Sequence, residues 1–300
     1  MRGNLKIMVG VSASGKSTYA HQLWLKDPMN TIIVSRDNIR KSFGYDDTNV
    51  REYYLRDDIR KLERLVTFMQ DTQIYEGLEA GKTVIVDNTH LKRSYIDVYR
   101  FWNVPTQVKI FETDLMDCLH RNSQRVRQVD EDVIKKQHRQ FVSLKQALEK
   151  EPIDFTPVTM VNDSQKQPVV VVDLDNTLCM RGNRSPYEWH RVGEDEPCFE
   201  LLDVLYSIDR DKMKVIICTG RDGICINETE AWLFDHGVEY DEIHIRPKGN
   251  SEPDWVIKER MWRRITEDHY IAMLIDDRNQ VVRRARALGL KVMQVEYGNF

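Results

Sequence analysis

The chain has 300 residues, of which 41% are hydrophobic and 31% are charged, and its mean hydropathy is −0.54. This length predicts two domains, and the composition is typical of a globular protein that buries a sizeable core. No apolar run approaches the roughly 18 residues that a membrane span needs, so the sequence argues against an integral membrane protein and against a membrane partner.

The distribution of cysteines and charges narrows the class of protein further. Five cysteines without a CxxC pair do not favour a disulfide framework or a zinc site, and they fit a reducing cytoplasm. Residues 1–150 hold 25 basic and 20 acidic side chains (net +5), and residues 151–300 hold 19 and 28 (net −9). A basic half attracts polyanions, although chance variation between two ordinary domains explains the asymmetry equally well.

Apolar strands alternate with helical stretches along the chain, a pattern that predicts parallel sheets with crossover helices. In the first half the pattern predicts strands at residues 5–11, 31–35, 83–87 and 106–112, and helices at 16–26, from about 51 to 80, and from a cap at Asp130 or Asp132 to about 150. In the second half it predicts strands at residues 169–173, 215–219, 242–246, 270–276 and 291–295.

A proline-containing polar segment without periodicity, residues 151–167, is interpreted as a linker. The sequence therefore predicts an α/β protein with one domain at residues 1–150 and a second at residues 168–300. The apolar amino terminus faintly resembles a signal peptide, but no cleavage region follows it, so it is interpreted as the first strand.

Residues 10–17 match the pattern GxxxxGK[ST], between a predicted strand and a predicted helix. In this pattern backbone N–H groups and the helix N-terminus surround phosphates, the lysine reaches the β- and γ-phosphates, and the hydroxyl binds Mg²⁺. The alternative is a glycine turn beside a surface lysine. The pattern predicts a nucleoside triphosphate site with contacts from Gly10, Ser14, Gly15, Lys16, Ser17 and Thr18, with Ser17 as a metal ligand.

Further polar residues follow the strands of the first half. Asp37 is placed to accept a proton from an attacking hydroxyl, and Arg40, one helical turn on, to meet an anionic acceptor; the alternative for Asp37 is an ordinary N-cap. Asp87 and Asn88 also follow a strand and are candidates to orient substrate, with Asp87 able to hold Mg²⁺ through water. The cluster Arg121, Arg125 and Arg127 could cover a triphosphate, although Arg127 also fits a solvated surface.

A second set of strand-end residues lies in the second half. Asp173 and Asp175 form a DxDxT pattern after a buried strand, which is weak evidence alone because it arises by chance. Later segments in the order that such a site needs are Thr219-Gly220-Arg221, Lys258, and Asp276-Asp277-Arg278. Asp173 is then a nucleophile toward phosphorus, Asp175 a proton donor, and Thr219 with Lys258 the holders of phosphoryl oxygens. The expected Mg²⁺ ligands are Asp173, Asp175, Asp276 and Asp277.

Taken together, the two sets resemble the P-loop kinases followed by the haloacid dehalogenase-type phosphatases, in the order of the phage-type 5′-polynucleotide kinase/3′-phosphatases. The resemblance is carried by Ser35-Arg36-Asp37-x-x-Arg40, Asp87-Asn88-Thr89, Arg121-Asn122-Ser123-x-Arg125, Arg184-x-Pro186-Tyr187, Thr219-Gly220-Arg221, Asp254-x-x-x-Lys258 and Asp276-Asp277-Arg278-x-Gln280.

The resemblance implies roles for individual residues. In the kinase half it implies Asp37 as general base, Arg40 on the nucleic-acid phosphate and Arg125 on the nucleotide. In the phosphatase half it implies Asp173 as nucleophile, Asp175 as general acid, and four supporting residues, Arg184, Arg221, Asp254 and Lys258. It also implies a homotetramer and, for a phage-encoded protein, the host cytoplasm.

The expected activity is nucleic-acid end healing, in which ATP phosphorylates 5′-hydroxyl ends of DNA or RNA and 3′-phosphates are removed. Two alternatives are a small-metabolite kinase fused to a metabolite phosphatase, and a nucleic-acid-binding module with relic sites. Asn176 departs from the family, which usually has glycine after the second aspartate. Because the chain must turn sharply there, we predict a positive φ at Asn176.

Overall fold

The computed structural model describes residues 2–45, 50–126 and 128–298. The chain divides into two compact units, Met1–Pro157 and Val158–Phe300. The division lies inside the segment 151–167 that the sequence suggested as a linker. Each unit is an α/β structure built on a parallel sheet, which confirms the predicted fold class.

The first unit contains a four-stranded parallel sheet. Its strands are β1 (Asn4–Val9), β2 (Thr31–Val34), β3 (Thr83–Val86) and β4 (Thr106–Ile110). They lie in the order β2-β3-β1-β4, with Ile7 opposite Val86 and Val9 opposite Ile110. Their apolar side chains are buried between helices on both faces, as expected for a parallel sheet.

The helices of the first unit connect these strands. They are α1 (Lys16–Lys26), α2 (Arg36–Lys41), α3 (Val50–Tyr54), α4 (Ile59–Glu79), α5 (Arg93–Asp97), α6 (Leu115–Ser123) and α7 (Glu131–Lys150), with a 3₁₀ turn at Val98–Trp102. The side chain of Asp130 caps α7 by accepting from the N–H of Asp132. Gly81, with φ 73°, follows the end of α4.

The single helical stretch expected between about 51 and 80 is wrong in one respect, because the structure has two helices there. The chain turns between α3 and α4, where the guanidinium of Arg56 donates to both carboxylate oxygens of Asp58 at 2.8 and 3.0 Å. Asp58 occupies the N-cap position of α4. The Asp58 side chain makes no capping hydrogen bond to α4, and an ion pair between side chains as exposed as these does not by itself explain the break.

The second unit contains a five-stranded parallel sheet and a small antiparallel pair. The strands are β5 (Gln167–Val172), β6 (Cys179–Met180), β7 (Glu196–Pro197), β8 (Lys214–Asp222), β9 (Glu242–Arg246), β10 (His269–Arg278) and β11 (Val292–Gly298). The large sheet has the order β11-β10-β5-β8-β9, and β6 pairs with β7. The helices are α8 (Phe199–Tyr206), α9 (Ile226–Asp235), α10 (Asp254–Asp268) and α11 (Asn279–Ala287).

This strand order determines where polar residues meet. Strand β5 is central, and its residues Val169, Val171 and Val172 are almost fully buried. Strands β8 and β10 are its neighbours and run parallel to it, so the carboxyl ends of all three strands lie at one sheet edge. Ligands bind at that edge in open α/β sheets. Among the described residues, no helix combines the length and apolar character needed to cross a bilayer.

Candidate active sites

The loop between β1 and α1 has the backbone that its sequence pattern requires. Gly15 has φ 97° at the N-cap of α1, and Ala13 also lies in the left-handed region, with φ 65°. A Cβ atom added to Gly10 would lie 2.8 Å from Ser14 Oγ, so only glycine fits there without a shift. The loop therefore ends in a helix N-terminus of the kind that binds phosphate.

Lys16 is folded over this loop. Its Nζ donates to the carbonyl of Val11 at 2.7 Å and to Ser14 Oγ at 3.3 Å. Burial lowers the pKa of Lys16 to about 8, while the negative charge of Asp87 acts in the opposite direction. A phosphate group would supply the anion that this desolvated ammonium group needs.

Ser17 and Asp87 offer oxygen ligands beside Lys16. Ser17 lies in the first turn of α1, and Asp87 follows β3. Burial raises the pKa of Asp87, and the neighbouring Ser17 hydroxyl lowers it. A hydroxyl and a carboxylate near each other fit the oxygen preference of Mg²⁺. Thr18, the next residue of α1, is exposed.

Arg40 and Asp37 lie together on α2, as expected from their spacing. Arg40 Nη1 donates to Asp37 Oδ1 at 2.8 Å, and the Asp37 side chain remains 49% exposed. Arg40 also donates to both carboxylate oxygens of Glu63 at 2.8 and 2.9 Å. The hydrogen bond from Arg40 lowers the pKa of Glu63 to about 2. Arg40 therefore has carboxylate partners in this structure, and a substrate phosphate would compete with them.

Asn88 connects the elements around Asp37 and faces protein groups. Its Oδ1 accepts from the backbone N–H of Arg36 at 3.1 Å, and its Nδ2 donates to Gln70 Oε1 at 2.9 Å. Because both ends of the amide are used, its position favours a role in orienting α2 over the expected direct contact with substrate.

The two described arginines of the Arg121 cluster belong to the phosphate-loop region. Arg121 Nη1 would be 3.8 Å from a Cβ atom at Gly15, and the charge of Arg125 acts on the pKa values of Lys16 and Asp87. Arg127 lies outside the described residues. The amide of Asn122 bridges the N–H and C=O of Val129 at 2.9 and 2.8 Å, which closes the intervening loop.

Two contacts of the first unit were not expected from the sequence. Gln137 on α7 accepts a hydrogen bond from the N–H of Ser12 at 2.9 Å, so α7 contacts the phosphate loop directly. Glu63 on α4 joins Arg36 and Arg40. Each contact joins residues more than 20 positions apart in the sequence. Glu63 and Gln137 lie on helices that carry none of the motifs, so no local sequence pattern indicates these contacts.

The second unit brings three carboxylates together at the carboxyl ends of β5 and β10. One oxygen each of Asp173, Asp276 and Asp277 lies within 4.8 Å of the others. Lys258 Nζ lies 2.8 Å from Asp173 Oδ1 and 2.7 Å from Asp276 Oδ2. Burial raises the pKa of Asp173 and that of Asp277 to about 7. Asp277 Oδ2 is buried without a hydrogen-bond partner among the described residues, so this group fits a divalent cation.

The carboxylate of Asp175 is engaged by two arginines in the structure, so its expected place among the metal ligands stays a prediction. Asp175 Oδ1 accepts from Arg184 Nη2 at 2.9 Å and from Arg221 Nη2 at 3.0 Å. The chain leaves β5 at this point and directs the side chain toward Arg221 on β8. Although burial raises the pKa of Asp175, the two arginines lower it overall.

Asp195 was not expected from the sequence and completes this arginine cluster. Its side chain is 1% exposed, and it pairs with Arg184 Nε at 2.5 Å and Arg221 Nη2 at 2.6 Å. Its backbone carbonyl accepts from Trp232 Nε1 at 2.7 Å. Asp195 lies just before β7, outside any strand end of the large sheet, so the pattern of strand-end polar residues did not indicate it.

Asp254 lies at the start of α10 beside two further arginines. Its carboxylate is 3.0 Å from Arg246 Nη2, 3.2 Å from Arg278 Nη1 and 3.9 Å from Lys258 Nζ. A Cβ atom at Gly220 would lie 2.3 Å from Asp254 Oδ1, so a glycine is required there.

Thr219 is fully buried, and its Oγ1 accepts from the N–H of Arg221 at 3.2 Å. This hydrogen bond joins the hydroxyl to the backbone at the end of β8. The hydroxyl oxygen lies in the same strand-end region as Asp173, so the expected contact of Thr219 with a phosphoryl oxygen stays a prediction.

The turn after Asp175 confirms the prediction for Asn176. Its φ is 57°, and its N–H donates to the carbonyl of Cys179 at 2.7 Å. Asparagine is one of the few residues other than glycine that adopt this conformation at modest cost. The departure from the usual glycine therefore preserves the backbone turn.

Comparison with known proteins found a match to each of the two units. Residues 167–300 match the family described as the polynucleotide kinase PNKP phosphatase domain, and residues 5–144 match a family described as an AAA domain. A curated protein of Autographa californica nuclear polyhedrosis virus, named "Putative bifunctional polynucleotide kinase/RNA ligase", is 26% identical over 295 residues, which are 93% of this chain and 40% of that protein. The chain thus spans less than half the length of this curated relative.

Two solved structures are also similar over the whole chain. One is the structure of the Pnkp1/Rnl/Hen1 RNA repair complex, in which the matched chain is 26% identical to this one with a TM-score of 0.47, and the match covers 97% of it. A further Pnkp1/Rnl/Hen1 complex has 27% identity, a TM-score of 0.48 and 98% covered.

The family matches occupy one unit of the structure each, and together they leave few residues unmatched. The order is a P-loop domain with Lys16 followed by a phosphatase domain with the carboxylate group of Asp173. The carboxyl-terminal unit is thus similar to the phosphatase domain of polynucleotide kinase PNKP, and the amino-terminal unit is similar to an AAA domain.

Proposed function

We propose that the chain is a bifunctional nucleic-acid end-healing enzyme. It transfers the γ-phosphate of ATP to 5′-hydroxyl ends of DNA or RNA and hydrolyses 3′-phosphate ends. The observation that carries the proposal is that one chain joins the Lys16 phosphate loop to a buried carboxylate group, Asp173, Asp276 and Asp277, in a domain of the polynucleotide kinase phosphatase family.

In the first unit, Asp37 accepts the proton of the attacking 5′-hydroxyl. Its carboxylate is half-exposed and therefore open to substrate. Lys16, Arg121 and Arg125 surround the transferring phosphoryl group with positive charge, which stabilises the transition state. Ser17 would hold Mg²⁺, with Asp87 holding it through water, and the ion would supply further charge neutralisation. Arg40 exchanges Glu63 for a phosphate of the acceptor strand.

In the second unit, the Asp173 carboxylate attacks the phosphorus of the 3′-phosphate and forms an aspartyl phosphate. The bond from phosphorus to the 3′-oxygen breaks, and the 3′-oxygen takes the proton of Asp175. Asp175 then removes a proton from water, whose oxygen attacks the aspartyl phosphate and releases inorganic phosphate. Lys258 and Thr219 hold phosphoryl oxygens, and Mg²⁺ on Asp173, Asp276 and Asp277 supplies charge neutralisation when bound.

The arginine cluster gives Asp175 an environment that must change during the reaction. Arg184 and Arg221 hold the pKa of Asp175 low in the structure, whereas a proton donor must carry a proton. When Arg184 and Arg221 turn to the phosphoryl oxygens, they release the Asp175 carboxylate and its pKa rises. Asp254 keeps Arg246, Arg278 and Lys258 in place around the same site.

The main alternative is a small-metabolite kinase fused to a metabolite phosphatase. Labelled ATP is offered with a 5′-hydroxyl, 3′-phosphate oligonucleotide in competition with nucleosides and sugars, and both ends of the oligonucleotide are read. We expect label at the 5′ end and loss of the 3′-phosphate. Preference for a nucleoside or sugar would support the alternative, and nucleic-acid binding without ATP consumption would support a binding module with relic sites.

The assembly and location proposed for the enzyme follow from the family. We propose a homotetramer, which light scattering of the purified protein tests, and action in the cytoplasm, that of the host for a phage-encoded protein. Whether DNA or RNA ends are preferred follows from the same end-labelling assay with both polymers.

A further inference from the structure

The carboxylate group of the second unit lies in a pocket with an aromatic wall. The pocket has a volume of about 510 Å³, within the range of ligand sites. Asp173, Asp175 and Asp277 line it, and so do Tyr187 and Trp189. Tyr187 is 80% exposed. A large aromatic ring beside a buried catalytic cluster, and itself almost unburied, contributes little to the folded core.

The two aromatic residues are attached to the arginine cluster by a short, hydrogen-bonded turn. Arg184, anchored on Asp195, comes three residues before Tyr187. The N–H of Ser185 donates to the side chain of Glu188 at 2.5 Å, and the N–H of Glu188 donates back to the carbonyl of Ser185 at 3.1 Å. Trp189 then begins a 3₁₀ turn. The aromatic pair is therefore held at a fixed place relative to the phosphate-binding arginines.

The geometry of the pair leaves a ring face available. The ring centroids of Tyr187 and Trp189 are 6.4 Å apart and the planes are perpendicular, so one ring supports the other by its edge. The exposure of Tyr187 shows that most of its ring surface faces solvent. A planar aromatic group can cover that surface without displacing a protein contact.

We propose that Tyr187, supported by Trp189, is a stacking platform for the base of the 3′-terminal nucleotide. This inference rests on the proposed 3′-phosphatase function. A base on Tyr187 and a phosphate at Asp173 would place the two ends of one nucleotide in the two parts of the pocket. Stacking on an aromatic side chain tolerates every base, because each base has a π-face.

The stacking surface itself favours recognition without base preference, because every base has a π-face. Asn250 also lines the pocket, and its amide is held by Glu252: Nδ2 donates to Glu252 Oε2 at 2.9 Å, and Oδ1 accepts from the N–H of Glu252 at 2.8 Å. The platform therefore distinguishes nucleotides from small phosphomonoesters by the stacked base, whichever base that is.

The test combines a change in the protein with a change in the substrate. The 3′-phosphatase is assayed on an oligonucleotide with a normal 3′-terminal nucleotide, on the same strand with an abasic terminal residue, and on glycerol phosphate. The proteins are wild type, Tyr187→Ala, Tyr187→Phe, Trp189→Ala, and Phe234→Ala as the matched control. Phe234 is 84% exposed on α9 and does not line the pocket.

We expect Tyr187→Ala to raise KM for the normal strand about tenfold, within the range of base stacking, and to leave kcat near wild type. Trp189→Ala should act in the same direction with a smaller effect. Tyr187→Phe and Phe234→Ala should match wild type. For wild type, the abasic strand should show the same rise in KM, and Tyr187→Ala should add nothing on that strand or on glycerol phosphate.

The outcomes separate this inference from the function on which it rests. If wild type removes no phosphate from any oligonucleotide, the phosphatase function fails and the platform with it. If wild type acts equally well on the normal and abasic strands, the platform alone is overturned, and this arm needs no variant. If Tyr187→Ala loses phosphatase activity equally on all substrates, Tyr187 has a structural role. If the kinetics of Tyr187→Ala match wild type, the ring of Tyr187 is available to a protein partner instead. Either outcome overturns the proposal.

Discussion

Asn176 shows how one residue can preserve a turn that glycine usually makes. The φ of 57° places it in the left-handed region, directly after Asp175. We expect Asn176→Gly to keep phosphatase activity, because glycine adopts this conformation without steric cost. Asn176→Val should lower kcat/KM about tenfold or more, since a β-branched residue is strained there by roughly 1–2 kcal/mol.

The measurement for Asn176 is phosphatase activity with kinase activity of the same preparation as reference. Asn176→Ala lies between the two cases, because alanine lacks β-branching and also disfavours a positive φ. A valine variant as active as wild type would show that the turn tolerates any residue.

His90 is a buried histidine whose titration affects the stability of the first unit. Its ring nitrogens contact the Met8 carbonyl at 2.7 Å and the Tyr99 hydroxyl at 2.9 Å, and burial lowers its pKa to about 4. The unfolded chain has the ordinary value near 6.5. Between these values the unfolded state binds more protons, so the free energy of unfolding falls as the pH falls from 6.5 to 4.

The expected contribution of His90 is about 3 kcal/mol across this window. The measurement is the free energy of unfolding by urea, compared between wild type and His90→Gln at pH 4.5 and at pH 7, since glutamine keeps polar atoms and does not titrate. The difference in this free energy between the two proteins should shrink as the pH falls. A constant difference would mean that His90 does not contribute through protonation.

At the scale of elements, Asp195 joins the segment before β7 to the turn of Arg184 and to strand β8. All three side chains of this cluster are nearly inaccessible, at 1%, 2% and 0% exposure for Asp195, Arg184 and Arg221. Removal of one partner from a buried ion pair costs about 3–5 kcal/mol, because the remaining charges lose their compensation.

We therefore expect Asp195→Asn to destabilise the second unit by about this amount and to lower phosphatase activity, while kinase activity persists. Thermal unfolding followed with both activity assays measures the effect. Asp203→Asn is a suitable control, since Asp203 lies on α8, outside the pocket lining and the arginine cluster. Unchanged stability in Asp195→Asn would show that the arginines find other partners.

The elements also show what the sequence can and cannot predict. Strand-end residues such as Asp173 and Asp276 could be predicted to meet, because the carboxyl ends of parallel strands lie at one edge of a sheet. Only a few residue types suit a site at that edge, so the candidates were easy to recognise. Asp195, Glu63 and Gln137 could not, since their partners depend on how helices and loops pack far from them in the chain. The break between α3 and α4 falls within a stretch of helical periodicity, which gives no signal for it.

At the scale of the whole molecule, two units with separate sites predict separable activities. Lys16 and Asp37 belong to the unit Met1–Pro157. We expect Lys16→Ala and Asp37→Ala each to abolish 5′-phosphorylation, because the first removes a charge on the triphosphate and the second removes the proton acceptor. Removal of 3′-phosphate should persist in both proteins. Loss of phosphatase activity in a folded Asp37→Ala protein would contradict two independent sites.

The converse variant is Asp173→Asn in the unit Val158–Phe300. The amide that replaces the carboxylate is isosteric but is a poor nucleophile, and it removes one negative ligand from the group with Asp276 and Asp277. Phosphatase turnover should therefore fall by several orders of magnitude. Lys258, 2.8 Å from Asp173, keeps Asp276 as a partner, so the fold should be retained. Kinase activity in the same preparation is the control for folding, and it should stay near wild type. Phosphatase turnover within about tenfold of wild type would place the nucleophile at another residue.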